Sequence, residues 1–384
     1  LGTWRIGEIA GGTVTLAPNE SEGIALQVGD AWQGVYRFDR VEVTGNAVLE
    51  SADPIRTPTV ELTGPTGTGG YTEISGPVVA ETVVVNGNVS TPGIVATTLT
   101  VKAGAKLTSP ASTATEVKAL DLSVSGVLTI EGGASIDVTG RGYPAGATYS
   151  GNVESTSAGG SHLGVGGVNG SAAKALTYGS VERPGEAGSG SWGVSGRSGG
   201  GVVRAVAGSI VLGGTTASIR ANGGGGGVGG GAGGAIWIET ESIAGDGLIE
   251  ATGGTGGWQG GGGVVRIEYS AATGTVLTRA NAKGGGTGSS ETNGGAGTVV
   301  LKGPGATYGT LRVDNLGTSG QATVLPSLGS GVAQDGTSGA TLVTQLASIP
   351  AYFEGHWVEV RRGESLLGTW RIGEIAGGTV TLAP

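Results

Sequence analysis

The sequence predicts an all-β chain: a right-handed parallel β-helix (solenoid) with glycine-rich loops, plus a small antiparallel β barrel or sandwich module split between the two ends. Three observations predict it. The same 18 residues stand at both ends, glycine supplies 84 of 384 residues, and the apolar residues fall in short alternating runs between glycines. Such runs bounded by Gly are the strand-and-turn signature. No stretch sustains a 3.6-residue period; the nearest, ATLVTQLAS at 340–348, is short and rich in Thr and Val. Collagen and disorder, the usual readings of high glycine, do not fit. There is no G-X-Y period, Pro is only 13, and apolar residues make up 37%.

The ends come first. Residues 1–18 and 367–384 both read LGTWRIGEIAGGTVTLAP, an identical match at an offset of 366 residues. Separate selection for a similar fold would leave scattered differences. Two explanations remain: a parent array of near-identical units, or an artificially duplicated end. The break falls in mid-pattern, which favours the array.

Read across the join, residues 331–384 are a linker and the first part of a β module, and 1–48 are its second part. Tyr352, Phe353, Trp357 and Trp370 lie in the first part. Trp4 and then Trp32, Tyr36 and Phe38 lie in the second. The segments HWVEVRR, LLGTWRIGEI, GGTVTLAP and GVYRFDRVEV alternate apolar and polar residues, as an antiparallel meander with an aromatic core does. Trp4, Trp32, Tyr36, Phe38, Trp357 and Trp370 are therefore the expected assembly joint.

Residues 49–330 carry the solenoid pattern. LDLSVSGVLTIEGGASIDVTGRG (120–142), GVVRAVAGSIVLGGTTASIRANGGGG (201–226), GAIWIETESIAGDGLIEATGGTGG (234–257) and GVVRIEYSAATGTVLTRANAKGGG (263–286) align as coils of three short β segments with Gly or Asn corners. Stacking at ~4.8 Å would give a body on the order of 40–50 Å long. Ile236, Ile238, Val265 and Ile267 are expected to point inward, with Trp237, Glu239, Arg266 and Glu268 facing solvent. The glycine runs at 223–234, 253–263 and 283–288 recur at one corner. Ordered backbone-on-backbone layers with amides paired between coils are expected there, since only Gly allows so close an approach. Residues 140–200 insert at the same corner as a flap over the side of the coils, with Tyr143, Tyr149, His162, Tyr178 and Trp192.

The runs GGSHLGVGG (159–167), YGS (178–180), Pro184 with GSG (188–190), GGGVVR (199–204), SIRANGGGG (218–226) and GGGAGGAIWI (229–238) resemble a glycine-rich β-solenoid repeat of very large bacterial surface proteins. The AxGGxG spacing and the GTWR, TVTL and WQGVYRFD segments are part of the resemblance. It covers most of the chain, on motifs of low complexity. It implies an exported adhesin-like or filament-forming protein and no catalytic residues.

Chemistry is sparse. The net charge of −9 is spread without charge runs, which argues against nucleic-acid and anionic-membrane partners. No apolar run reaches a membrane span. Cys and Met are absent, which rules out disulfides and suits an exported chain. Parallel β-helices also host polysaccharide-active enzymes, whose sites need clustered carboxylates. Asp137, Glu239, Asp246, Glu250, Glu268 and Asp314 read instead as single outward groups at non-equivalent positions. His162 and His356 are too far apart in sequence to suggest zinc; the first reads as a hydrogen-bonding residue in a glycine loop and the second as a packing residue. No cofactor is expected. Calcium stays open, with Asp53, Asp246 and Asp335 as unplaced carboxylates, though the calcium nonapeptide is missing. Trp192, Trp237 and Trp258 are candidate ligand or packing aromatics. The expected function is a structural repeat unit of an extracellular, cell-surface fibre or stalk. Its partners would be copies of itself, head to tail. The alternatives are an adhesin binding surface glycans and, last, a β-helix enzyme.

Overall fold

The computed structural model describes residues 4–17, 24–45, 47–67, 69–152, 157–170, 173–193, 195–286 and 288–383. The chain forms two compact units, 1–35 and 36–384. The first contains one antiparallel hairpin, Ile6–Ala10 with Thr13–Leu16, turning at Gly11 (φ 59°). The second unit is nearly all β and is dominated by parallel sheets.

An 11-stranded sheet and a 7-stranded sheet share the long middle of the chain. Successive strands alternate between them. Ile55–Thr63, Val78–Asn86, Gly93–Val101, Ala119–Ile130, Val202–Leu212, Ala235–Gly245 and Val264–Thr273 belong to the larger sheet. Thr72–Ile74, Asn88–Ser90, Lys106–Thr108, Ser135–Asp137, Ser218–Arg220 and Leu248–Glu250 belong to the smaller. Alternation in sequence decides which residues face in. Ile236, Ile238, Val265 and Ile267 are fully buried, as expected. Each short strand adds one aliphatic residue (Ile74, Val89, Leu107, Ile136, Ile219, Ile249) to the same apolar cluster. Each such side chain contributes about 1.5–3 kcal/mol by leaving water.

Where three β segments per coil were expected, the first two fuse into one long strand with a register shift in its middle, between Ala96 and Thr98 and between Val124 and Val127. Gly126 permits the bend, because a Cβ there would meet the Thr97 carbonyl oxygen at 2.8 Å. Hydroxyls line these bends: Thr98 bonds Thr82 (3.2 Å) and Ser242 bonds Ser209 (2.9 Å).

The sequence reading placed GVYRFDRVEV in the antiparallel module. Instead Tyr36–Arg37 and Arg40–Val43 pair parallel with Ile55–Thr63. Alternation gives a strand but not the direction of its neighbour, which is why the two were confused. At the other edge Thr310–Arg312 pairs antiparallel with Thr298–Lys302.

The glycine runs form an ordered layer. Gly200 donates to Ala232, Gly233 to Gly261, Gly261 to Gly160 and Gly262 to Gly295, all at 2.8–2.9 Å. Chain segments approach so closely that side chains are excluded. A Cβ on Gly260 would lie 1.9 Å from the Gly231 carbonyl oxygen. Glycine here is a requirement of space, and the paired amides offset its larger ordering entropy.

The described residues of the 140–200 segment cover the starts of three strands of the large sheet. Its Tyr143, Leu163, Tyr178 and Ala187 pack on Val202, Ala235 and Val264, the outward residues at the starts of three adjacent strands.

Residues 341–383 form a four-stranded antiparallel sheet in the order Thr341–Val343, Thr379–Ala383, Ser365–Ala376, Trp357–Arg362. Ile349, Phe353, Ile372 and Val380 make its core. The barrel alternative is corrected: among the described residues the sheet is open. Four strands, one of only three residues, are too few to close, since small barrels take about eight. No helix among the described residues is long and apolar enough to cross a membrane.

Candidate functional site at the C-terminal joint

The most elaborate side-chain chemistry lies where the insertion is held between the large parallel sheet and the C-terminal antiparallel sheet. Register starts it. Arg204, Trp237 and Arg266 are aligned neighbours on three parallel strands and point away from the core. The expectation that this outward row faces solvent fails at Arg266, which is fully buried. The insertion covers it: Glu182 lies 3.2 Å from its guanidinium, and Arg266 also donates to the Val181 carbonyl at 3.1 Å. Glu268 completes the set, 2.7 Å from Arg266 and 3.1 Å from Lys302. Burial alone would raise the Glu268 carboxyl, but the bonds from Arg266 and Lys302 outweigh it and hold the group below its ordinary range.

Glu182 also faces the C-terminal sheet, where Arg371 reaches it at 3.4 Å. The Arg371 guanidinium lies 4.5 Å over the Trp357 ring, and Trp357 meets Tyr308 edge-on at 5.2 Å. Beside this, Tyr149 stacks on Tyr178 (5.4 Å) and meets Tyr352 edge-on (5.2 Å). The layer thus joins three elements through aromatic contacts and charge-assisted bonds, the stronger class of hydrogen bond.

Two titratable groups sit in it, the half-buried Glu186 and the fully buried His162. Burial pushes the Glu186 carboxyl up to about 7, against backbone amides and Arg204 that favour the anion. Burial pushes the His162 imidazole down to about 4. His162 Nδ1 is 2.9 Å from the Gly233 carbonyl, which only accepts, so this nitrogen carries the proton. Burial likewise raises Tyr143 to about 12 and holds Tyr178 well above the ordinary phenol range.

Of the expected joint residues, Trp357 lies in this layer. Trp370 is its neighbour on the adjacent strand, paired with Val358 and folded over Gly368. Trp4 is half-buried, whereas Trp32 is 91% exposed and Tyr36 and Phe38 are exposed. Of the candidate ligand aromatics, Trp192 and Trp258 come together edge-on at 6.1 Å on the glycine layer. Trp237 stands apart, under Arg204 at 4.9 Å.

The carboxylates are less scattered than expected. Glu239 and Glu268 are aligned neighbours, and Asp137 and Glu250 flank Arg220 in register. The sequence gives no coil alignment precise enough to show this. Their partners are structural: Asp137 pairs with Lys106 (3.3 Å), Glu250 with Arg220 (3.1 Å), and Asp314 accepts from the Leu316 amide. Asp246 accepts from the Thr275 amide and hydroxyl. Asp53 and Asp335 do not join it: among the described residues no three His, Cys, Asp or Glu groups stand close enough to hold a metal. His356 packs edge-on against Phe353 at 5.3 Å.

Sequence reasoning missed Glu182, Glu186 and Arg266. The tyrosines of the insertion and its position beside the strand starts were the only signals that this face is covered. No protein-family model, curated protein or solved structure matches the chain, so the joint is read from its own geometry.

Proposed function

We propose that the chain is a structural repeat unit of an extracellular surface fibre or stalk, joined head to tail through the antiparallel module. In this reading the alternation between the two parallel sheets winds a right-handed β-solenoid, stiffened along one side by the glycine layer. The observation that carries it is one sequence in two environments. Ile372 and Val380 are 0% and 2% exposed in the C-terminal sheet, while the identical Ile6 and Val14 are 59% and 49% exposed in a lone hairpin. The hairpin carries the apolar residues of a sheet interior at both places and, among the described residues, has sheet partners at only one. In an array, residues equivalent to 341–362 of one unit supply those partners to the hairpin that opens the next.

Electron microscopy of a chain extended by one period, residues 1–384 followed by 19–384, tests the reading. The expected images show two bodies at a fixed spacing, on the order of 45 Å of stacked strands each. Two bodies on a tether of variable span would sink it. A second reading, an adhesin, is favoured by the paired Trp192 and Trp258, which present ring surface on a rigid backbone layer suited to stacking on sugars. Glycan-array binding lost in Trp192→Ala and Trp258→Ala tests it.

A further inference from the structure

The two ends of the parallel sheets are closed differently. At the first, Val41, Val43 and Leu49 pack against the apolar core and leave a cavity of about 10 Å³, room for one water at most. At the second, a cavity of about 300 Å³ opens, which is the size of a small-molecule site. One wall of it is apolar. Leu248 comes from the last strand of the smaller sheet and Val299 from the last parallel strand of the larger.

The other wall is polar, because the chain turns back across this end. The Asn281 amide bonds the Ile249 carbonyl, so residue 281 continues the smaller sheet by a single bridge. The edge strand Thr310–Arg312 sets Arg312 opposite Val299, whose side chain belongs to the core. Arg312 therefore enters the cavity half-buried, and its guanidinium donates to the Ala280 carbonyl. No carboxylate among the described residues pairs with it. Arg279 lines the same cavity, and its guanidinium bonds the neutral carbonyls of Thr215 and Asp246. Two positive charges thus face one carboxylate, Asp314, in a chain whose net charge is −9. Asn281 Nδ2 donates to the Arg279 carbonyl at 3.3 Å, which fixes the amide group. Its Oδ1 is buried, and among the described residues no donor reaches it, so its lost hydration is uncompensated.

We propose that this cavity binds a hydroxy carboxylate of sugar-acid size. Arg312 takes the carboxylate, for which a guanidinium fork is matched, and Arg279 adds charge. Asn281 Oδ1 and the Asp314 carboxylate can only accept, so the ligand must bring donors, and hydroxyls supply them. The C–H face of a sugar ring lies on Leu248 and Val299. A uronate carries all three features on one ring. A carboxylate without hydroxyls leaves Asn281 Oδ1 unpaired and meets Asp314 as a like charge; a sugar without a carboxylate leaves Arg312 unpaired. A free sugar acid and the end of an acidic polysaccharide present the same chemistry. The site is built within the parallel sheets of one chain, so it stands or falls apart from the array.

Titration of the nitrogen-15-labelled full chain with D-glucuronate, a galacturonate trimer, D-glucose and pentanoate tests it. A uronate should shift the Asn281, Ala282, Gly297 and Leu316 amides and leave those of Val43 and Ile74, at the other end of the sheets, in place. D-glucose and pentanoate, each lacking half of the match, should bind at least about 10-fold more weakly. Arg312→Gln should weaken uronate binding by about 10-fold or more, with amide positions away from the cavity unchanged. Tighter binding of the trimer than of D-glucuronate would mark a site for a chain end, and the reverse order a site for the free acid; both orders support the proposal. No shift of the cavity amides with either uronate, equal binding of D-glucose or pentanoate, or uronate binding untouched by Arg312→Gln would each overturn it.

Discussion

The hairpins at 6–16 and 372–382 have the same residues, the same turn glycine at φ 59° and the same pairing of Ile with Leu and Ala with Thr. Only their surroundings differ. At the second site Thr341–Val343 adds a strand on one edge, Trp357–Arg362 adds one on the other, and Ile349 and Phe353 fill the face below. Local sequence therefore sets the hairpin's form, and tertiary packing sets its burial. An isolated two-stranded hairpin is marginal in water, so most of the stability of the second copy comes from its neighbours.

The largest effect should come from cutting the same side chain at both sites. Ile372→Ala should destabilise the C-terminal sheet by about 3 kcal/mol, as loss of a fully buried aliphatic side chain does, whereas Ile6→Ala should change little. Exchange protection of the Gly355 amide, bonded to the Ile372 carbonyl, checks the first, and that of the Ala17 amide, bonded to the Arg5 carbonyl, checks the second. Equal losses would mean that the first hairpin also has a packed face.

The pH dependence of global unfolding between pH 4.5 and 6.5 should show only when one of two opposing groups is removed. Glu186, raised to about 7 from 4.5, contributes stability that is full below about pH 4.5 and is lost as pH rises through 7. His162, lowered to about 4 from 6.5, contributes stability that is full above pH 6.5 and is lost as pH falls through 4. For global unfolding the two nearly cancel between pH 4.5 and 6.5. Glu186→Gln should uncover the histidine, a fall of roughly 3 kcal/mol on acidification from pH 6.5 to 4. Denaturant melts across that range measure it; a variant as flat as the wild type would remove His162 from the account.

Smaller effects complete the contrast. Val380→Ala should cost about 2 kcal/mol and Val14→Ala less than about 0.5 kcal/mol. Arg371→Gln should cost about 1 kcal/mol, combining the cation–π contact with Trp357 and a partly exposed bond to Glu182. Thermal melts of the C-terminal sheet, followed by Trp357 fluorescence, resolve changes of this size.

The parallel core was the most legible region. Ile236, Ile238, Val265 and Ile267 could be assigned inward because side chains in a strand alternate with a period of two. The glycine layer was legible too, because runs at one recurrent corner admit few explanations besides backbone packing. The joint was legible only in part. Trp357 was expected there, but the alternation that placed Arg266 outward could not say that Glu182, some 80 residues earlier in the chain, would cover it.

By itself the sequence determined the β character of the chain, the inward faces of its strands, the glycine corners and the repeated hairpin. These follow from local rules: side-chain alternation, backbone sterics and identity of residues. Only the tertiary structure decided the direction in which 36–43 pairs, the burial of Arg266 and His162, and the contrast between two identical hairpins. Each depends on segments far apart in sequence meeting in space, and a charge or an isoleucine takes its energy from what it meets.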